Sequence, residues 1–190
     1  MIITYNGENY FKCQSGASAI LIDPTNQRAF KGADLILNTQ KPAAVAEEGK
    51  EGGFWIDHQG EYEIKGIQVQ GWSVEGEGEK EKTLYRVEFD EIVFVVLGHI
   101  TKEPDGKIQE YLKHADCLIV PAGGKPWLSP GAAAKLIRQL EPSIILPSLY
   151  EDIKPFLKEF SQDKCEPEEK FTFKKKDLKP AAMEIKCLKP

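Results

Sequence analysis

The sequence predicts a single domain of mixed α/β class, with sheets packed as a sandwich and helices outside. In the first half, short apolar runs follow one another between turn signals such as Asn6-Gly7. In the second half, apolar runs of strand length alternate with segments whose apolar residues have helical spacing. A chain of 190 residues is long enough for one substantial core. No internal repeat or linker is visible, so we expect one domain over residues 1–190.

The first half is expected to form strands, because its apolar runs are short and bounded by glycine, asparagine or charged turns. These strands are Ile2–Tyr5, Tyr10–Cys13, Ala19–Ile22, Ala33–Asn38, Gly53–Ile56, Tyr62–Ile64, Ile67–Val74, Thr83–Glu88 and Ile92–Leu97. Two segments show neither the alternation of a strand nor the apolar spacing of a helix. The segment Lys41–Gly53 has no predicted conformation, and the charged, glycine-rich Glu75–Lys82 is expected to be a mobile loop.

The second half predicts helices between strands. Helical spacing covers Pro104–His114 and Asp152–Phe160, and Ser129-Pro130 supplies an N-cap and a first-turn proline for a helix ending near Leu140. The expected strands are Cys117–Val120, Ile144–Leu146, Lys170–Phe173 and Met183–Leu188.

Composition excludes several classes of function. With 25 basic and 30 acidic side chains the formal net charge is −5, which argues against nonspecific binding to nucleic acid or an anionic membrane. No basic and apolar leader is visible, and no apolar run approaches the roughly 20 residues that span a bilayer. A cytoplasmic location is therefore expected. The four cysteines form no C-x-x-C pair and are expected to be reduced thiols.

The small number of histidines limits the kinds of metal site that this chain can form. The chain has three histidines, His58, His99 and His114, too few for a centre built mainly from histidine. His114 falls at a predicted helix C-terminus, where a cation is favoured. Neighbours in a turn more often point apart than together, so His58 is not expected to pair with Asp57.

Several strings, in their order along the chain, resemble one family. They are Leu21-Ile22-Asp23-Pro24, the segment 33–39 (ADLILNT), the segment 60–66 (GEYEIKG), Leu97-Gly98, the segment 115–124 (ADCLIVPAGG) and the segment 140–147 (LEPSIILP). Each is weak alone, but the ordered set resembles the metallo-β-lactamase superfamily, specifically its small, lactonase-like branch of zinc-dependent hydrolases. The resemblance implies a four-layer αβ/βα sandwich with mixed sheets and outer helices.

The resemblance also implies where metal ligands would stand. The family holds zinc or manganese with T-H-x-H-x-D-H, a later His, an Asp after Gly and a final His before Tyr. Here the first motif reads Thr39-Gln40-Lys41-Pro42-Ala43-Ala44-Val45, and no histidine occurs between residues 73 and 82. His99 replaces the Asp, and Leu149 replaces the final His before Tyr150. We therefore expect no metal cofactor.

Three functions stay open at this point. The favoured one is a non-catalytic binding or assembly protein that has lost the family's metal ligands. The alternative is a hydrolase of phosphodiesters, lactones or other esters with a metal-free or noncanonical site in the same cleft. His99 is then the candidate catalytic residue. The resemblance places Asp23, Asn38, Gln40 and Tyr150 at the cleft. In the family, the aspartate at the position of Asp23 organises the loops around the site. A third hypothesis is a homo-oligomeric structural subunit; no other partner is predicted.

Overall fold

The computed structural model describes residues 1–26, 30–44, 53–74 and 81–190. Its strands are β1 (Ile2–Tyr5), β2 (Phe11–Ser15), β3 (Ser18–Ile22), β4 (Leu35–Leu37), β5 (Gln40–Lys41), β6 (Phe54–Ile56), β7 (Gly60–Ile64), β8 (Ile67–Val74), β9 (Glu81–Phe89), β10 (Ile92–Val96), β11 (Cys117–Pro121), β12 (Ile144–Ser148), β13 (Phe171–Thr172) and β14 (Glu184–Ile185). Its α-helices are α1 (Gly106–Leu112), α2 (Pro130–Leu140) and α3 (Lys154–Lys158).

The strands form two mixed sheets. The first has the order β13-β1-β2-β3-β4-β6, with β3, β4 and β6 parallel and the other pairs antiparallel. The second has the order β14-β12-β11-β10-β9-β8-β7, with β5 added beside β9. In this sheet β10, β11, β12 and β14 run parallel, while β7 to β10 form an antiparallel meander.

Two large apolar layers and a smaller cluster of Tyr10, Leu21, Phe30 and Ile36 hold these elements together. The main core lies between the sheets, where residues such as Phe11 and Leu35 of the first sheet pack with Tyr85 and Phe94 of the second. The second layer joins the other face of the second sheet to α1, α2 and α3. Because strand side chains alternate between faces, neighbours such as Phe94 and Val95 serve different layers. The expected sandwich of mixed sheets with outer helices is confirmed.

Helix α2 shows how local signals set these boundaries. The Ser129 hydroxyl accepts a hydrogen bond from the Ala132 amide, and Pro130 occupies the first helical position. The helix ends where Glu141 takes a left-handed backbone with φ of 49°. Among the described helices, none is both long enough and apolar enough to cross a membrane.

Some strands differ from expectation because pairing with strands distant in sequence sets where they form and begin. The short strand β5 forms because Gln40 and Lys41 pair with Lys82 and Glu81 of β9. For the same reason β9 begins at Glu81, inside the segment expected to be a loop, whereas residues 75–80 and 45–52 lie outside the described part of the chain. Near the C-terminus, a short 3-10 helix spans Lys175–Asp177.

The expectation of four reduced thiols is wrong for one pair. Cys165 and Cys187 form a disulfide bond with their Cα atoms 6.0 Å apart, whereas Cys13 and Cys117 are buried thiols. The chain brings the pair together because β14 adds to the edge of β12 and a bridge joins Glu168 to Leu188. That pairing is long-range and leaves no local signal in the sequence.

Candidate functional site

A cleft lies where several parallel strands end. Asp23 follows β3 and Thr39 follows β4, while His99, Gly123 and Leu149 follow β10, β11 and β12. The strands β3 and β4 belong to the first sheet and β10, β11 and β12 to the second, and the carboxyl ends of parallel strands are where such folds place their ligands. A cavity of about 760 Å³ opens here, lined by Glu8, Asn9, Asp23, Gln40, Ala44, His99, Gly123, Lys125, Pro126, Trp127, Leu149, Tyr150, Glu151, Asp152 and Pro155.

Asp23 organises the floor of this cleft. Its Oδ1 accepts a hydrogen bond from the Thr39 backbone amide at 2.7 Å. Its Oδ2 accepts two more, from the Thr39 hydroxyl at 2.6 Å and from Asn9 Nδ2 at 2.5 Å. Asp23 and Asn9 are buried, with 8 % and 1 % of their surface exposed. A buried carboxylate needs such donors to offset its lost hydration, so the loops carrying Asn9 and Thr39 are fastened to Asp23.

His99 is tied to the same network. Its Nδ1 lies 2.7 Å from the Thr39 hydroxyl oxygen and 3.6 Å from Asp23 Oδ2. The single hydroxyl proton of Thr39 is donated to Asp23, so the hydroxyl oxygen accepts a hydrogen bond from the Nδ1–H of His99. In the neutral ring, Nε2 is then the nitrogen with the lone pair. The ring also meets Trp127 edge to face, with centroids 4.9 Å apart.

Two glycines allow the cleft loops to approach one another. Gly98 has φ of +57°, and a Cβ atom there would lie 2.2 Å from the Thr39 hydroxyl oxygen. A Cβ on Gly123 would lie 2.2 Å from the Leu149 carbonyl oxygen. Both distances are far below van der Waals contact, so any larger residue would displace Thr39 or Leu149.

The cleft residues that the structure describes do not fit a zinc or manganese centre. Gln40, Ala44, His99 and Leu149 stand at ligand positions implied by the resemblance, and all line the cavity, yet only His99 among them offers a usual metal ligand. Asp23 already accepts three hydrogen bonds. Within residues 1–26, 30–44, 53–74 and 81–190, no group of three or more His, Cys, Asp or Glu side chains could hold a metal ion.

Tyrosines and cysteines add no base or nucleophile to the cleft. Burial raises the pKa of Tyr150, and burial together with nearby Tyr150 and Glu8 raises the pKa of Tyr5. Both phenols therefore stay protonated at neutral pH. Burial also raises the pKa of the Cys13 thiol to about 12 and that of Cys117 well above its ordinary value, which leaves neither as a thiolate.

The structure brings together most of the residues that the sequence singles out. Asp23, Gln40, His99 and Tyr150 line one cavity. Asn38 is buried and is not among the lining residues; its backbone carbonyl accepts a hydrogen bond from the Tyr85 hydroxyl at 3.0 Å.

The remaining two histidines lie at the surface. His58 Nδ1 lies 2.8 Å from Asp57 Oδ1, so the expectation that these neighbours point apart is wrong. The His58 side chain is 59 % exposed and lies outside the cleft, so this pair has no role in the cleft. His114 Nδ1 lies 3.6 Å from Glu141 Oε2, also in an exposed pair.

Sequence reasoning missed two contributors to the site, Asn9 and Lys82, and favoured a core position over the cleft for a third, Trp127. Asn9 reaches Asp23 from the β1–β2 connection. Trp127 lines the cavity, although its sequence context favours an ordinary core aromatic. Lys82 is only 3 % exposed and places its ammonium 5.1 Å from the centre of the Trp127 ring. Each depends on contacts between distant segments, for which the sequence carries no periodic or motif signal.

A comparison with protein families matches residues 2–148 to a model described as a beta-lactamase superfamily domain. A search of curated proteins finds no match.

Solved structures with the same fold cover nearly the whole chain. A protein from Thermotoga maritima, described as a Zn-dependent hydrolase of the metallo-beta-lactamase superfamily, is 21% identical with a TM-score of 0.83, over 98% of this chain and 97% of that one. One from Parabacteroides distasonis, described as a metal-dependent hydrolase, is 15% identical with a TM-score of 0.71, over 97% and 91%. The metallo hydrolase Igni18 from Ignicoccus hospitalis is 16% identical with a TM-score of 0.63, over 91% and 99%.

Proposed function

The chain belongs to the metallo-β-lactamase superfamily, and we propose that it acts there as a ligand-binding protein without the metal-dependent hydrolysis of that family. One observation carries this proposal. Gln40, Ala44, His99 and Leu149 line a cleft at the strand ends, yet of these only His99 has a side chain that commonly ligates metals. Because the fold is kept while the side chains at these ligand positions are changed, we favour ligand binding over hydrolysis by a metal-activated water.

The cleft itself supports a binding role. Its volume of about 760 Å³ falls within the range of small-molecule pockets, about 300–1,000 Å³. Its floor is held rigid by the hydrogen bonds of Asp23, so little ordering is needed when a ligand enters. The walls combine an aromatic surface, Trp127 and Tyr150, with several polar side chains that give directional contacts.

A second candidate, a metal-free hydrolase, is favoured by the hydrogen-bond chain from His99 through Thr39 to Asp23. This chain fixes the Nδ1–H form of the ring and leaves Nε2 as the basic nitrogen, which is the arrangement of a general base. A water molecule would have to be the nucleophile, since the Thr39 hydroxyl donates to Asp23 and the buried thiols Cys13 and Cys117 have raised pKa values.

Turnover assays separate the two candidates. The purified protein is offered phosphodiester, lactone and thioester substrates, with and without added zinc or manganese, beside the His99→Ala variant. The binding proposal expects no turnover above the variant under any condition. Turnover that the His99→Ala change abolishes would overturn it in favour of the metal-free hydrolase, and turnover that depends on added metal would overturn it in favour of the family's ordinary chemistry.

A further inference from the structure

The floor of the cleft contains a buried acceptor without a donor. Asn9 is 1 % exposed, and its Nδ2 donates to Asp23 Oδ2 at 2.5 Å. That bond fixes the orientation of the amide, because a carboxylate only accepts. Asn9 Oδ1 then finds no hydrogen-bond partner in the part of the chain that the structure describes. A buried carbonyl oxygen of this kind costs free energy, so a ligand that donates a hydrogen bond is favoured there.

The charges around this acceptor are mostly negative. The acidic side chains that line the cavity are Glu8, Asp23, Glu151 and Asp152. The basic side chains at the described part of the cavity are Lys125, which lines it, and Lys82, whose ammonium lies beside the Trp127 ring. Glu8, Glu151 and Asp152 lie toward the rim, whereas Asp23 is buried at the floor. An acidic wall above an unpartnered acceptor selects a ligand that is both positively charged and a hydrogen-bond donor.

An aromatic surface completes the site. Trp127 and Tyr150 line the same cavity. The Lys82 ammonium already lies 5.1 Å from the centre of the Trp127 ring, so the ring offers a ligand an apolar surface for its carbon chain and not a second cation site. Because burial raises the pKa of Tyr150, its phenol stays neutral and adds no charge.

From these three features we propose that the cleft binds a small organic amine in its protonated form. The ammonium group donates to Asn9 Oδ1 and lies near Asp23, while the carbon chain rests against Trp127 and Tyr150. Further ammonium groups along the same ligand meet the rim carboxylates Glu151 and Asp152. The inference rests on the proposed binding function and names the chemical class of its ligand; phosphate and carboxylate compounds are disfavoured by the same charges.

Titration calorimetry with spermidine tests this inference. Octanediol and suberate, of similar length but neutral and anionic, serve as matched probes. We expect spermidine to bind, more weakly at higher salt because exposed charges are screened, and the other two not to bind. In protein labelled with ¹⁵N, spermidine should shift the side-chain signals of Asn9 Nδ2 and Trp127 Nε1.

A pair of rim substitutions adds a quantitative test without disturbing the fold. The double variant Glu151→Gln with Asp152→Asn removes two exposed charges. The amide oxygen introduced by Asp152→Asn would still accept from the Lys154 amide, as Asp152 Oδ1 does at 3.0 Å. We expect spermidine to bind about threefold to tenfold more weakly to this variant, since exposed ion pairs contribute modestly. The control, Asp163→Asn with Glu166→Gln, changes two exposed acids outside the cleft and should leave the affinity unchanged.

Failure of the inference is distinct from failure of the proposed function. No binding of spermidine, equal binding of suberate, or equal weakening by the rim and control pairs would overturn the amine assignment. The turnover assays with His99→Ala address the non-catalytic proposal separately, because they contain no amine.

Discussion

Replacing Asp23 tests whether this carboxylate holds the cleft together without a metal. In Asp23→Ala, the Asn9 side-chain amide and the Thr39 backbone amide both lose their acceptor while remaining buried. The Thr39 hydroxyl can still find an acceptor, because His99 Nδ1 lies 2.7 Å away and accepts a hydrogen bond in the other ring tautomer. Two buried donors are therefore left unsatisfied.

The expected cost follows from these two donors. Each buried donor without a partner costs about 1–3 kcal/mol. Asp23 also has φ of 44°, a left-handed backbone that Asp tolerates better than Ala, which adds to the cost. We expect Asp23→Ala to lower the free energy of unfolding by about 3–5 kcal/mol. Asp23→Asn keeps one acceptor oxygen and should cost less, about 1–3 kcal/mol.

Urea denaturation followed by far-UV circular dichroism measures these differences. Asp163→Ala, an exposed acid far from this network in sequence, is the control and should stay within about 0.5 kcal/mol of wild type. Adding a chelator to wild-type protein should leave its free energy of unfolding unchanged. A cost below about 1 kcal/mol for Asp23→Ala, or stability lost on chelation, would refute the role assigned to Asp23.

Three further outcomes follow from packing and covalent structure. Replacing Cys165 and Cys187 by Ser should lower the free energy of unfolding by about 3 kcal/mol in urea titrations without reductant, as a sequence separation of 22 residues implies; an unchanged value would contradict the bridge. Because burial raises the pKa of Cys13 to about 12, a thiol reagent should find it unreactive in native protein at neutral pH and reactive in urea, and rapid native labelling would contradict this burial. Gly98→Ala should cost about 2–4 kcal/mol through strain and overlap with Thr39, whereas Gly106→Ala, whose Cβ would meet no atom within 4 Å, should cost almost nothing in the same assay; equal effects would contradict the packing interpretation.

The state of the Cys165–Cys187 pair also bears on the compartment. A cytoplasmic location remains a prediction, and the disulfide weighs against it because such bonds rarely persist in a reducing cytosol. Alkylation of thiols in freshly lysed cells, followed by mass spectrometry, would report the state of the pair where the protein resides.

Local patterns predict much of the fold. The apolar run at Ile2–Tyr5 predicts β1 with the bounds that the structure has, and the N-cap Ser129 with Pro130 marks the start of α2. Both depend on signals within a few residues. By contrast, β5 exists because Gln40 pairs with Lys82, more than forty residues away. Such pairing is set by the whole sheet and leaves no trace in local sequence.

The same distinction between local signals and long-range contacts applies to the residues of the site. The positions of His99 and Leu149 in the ordered motifs predict a cleft with altered metal ligands, and both residues line the cavity. Asn9 could not be predicted, because its contact with Asp23 joins two different connections of the first sheet. The Cys165–Cys187 bridge was missed for the same reason. Residues that act through a family motif can be found from sequence, whereas those that act through tertiary contact cannot.

Metal content most directly tests the central claim that the superfamily fold is kept here without its metal centre. Untagged protein, expressed with zinc and manganese in the medium and then dialysed without chelator, is measured by inductively coupled plasma mass spectrometry. We predict zinc and manganese contents far below one ion per chain, with the protein folded by circular dichroism. One or more of these ions retained per chain would contradict the account.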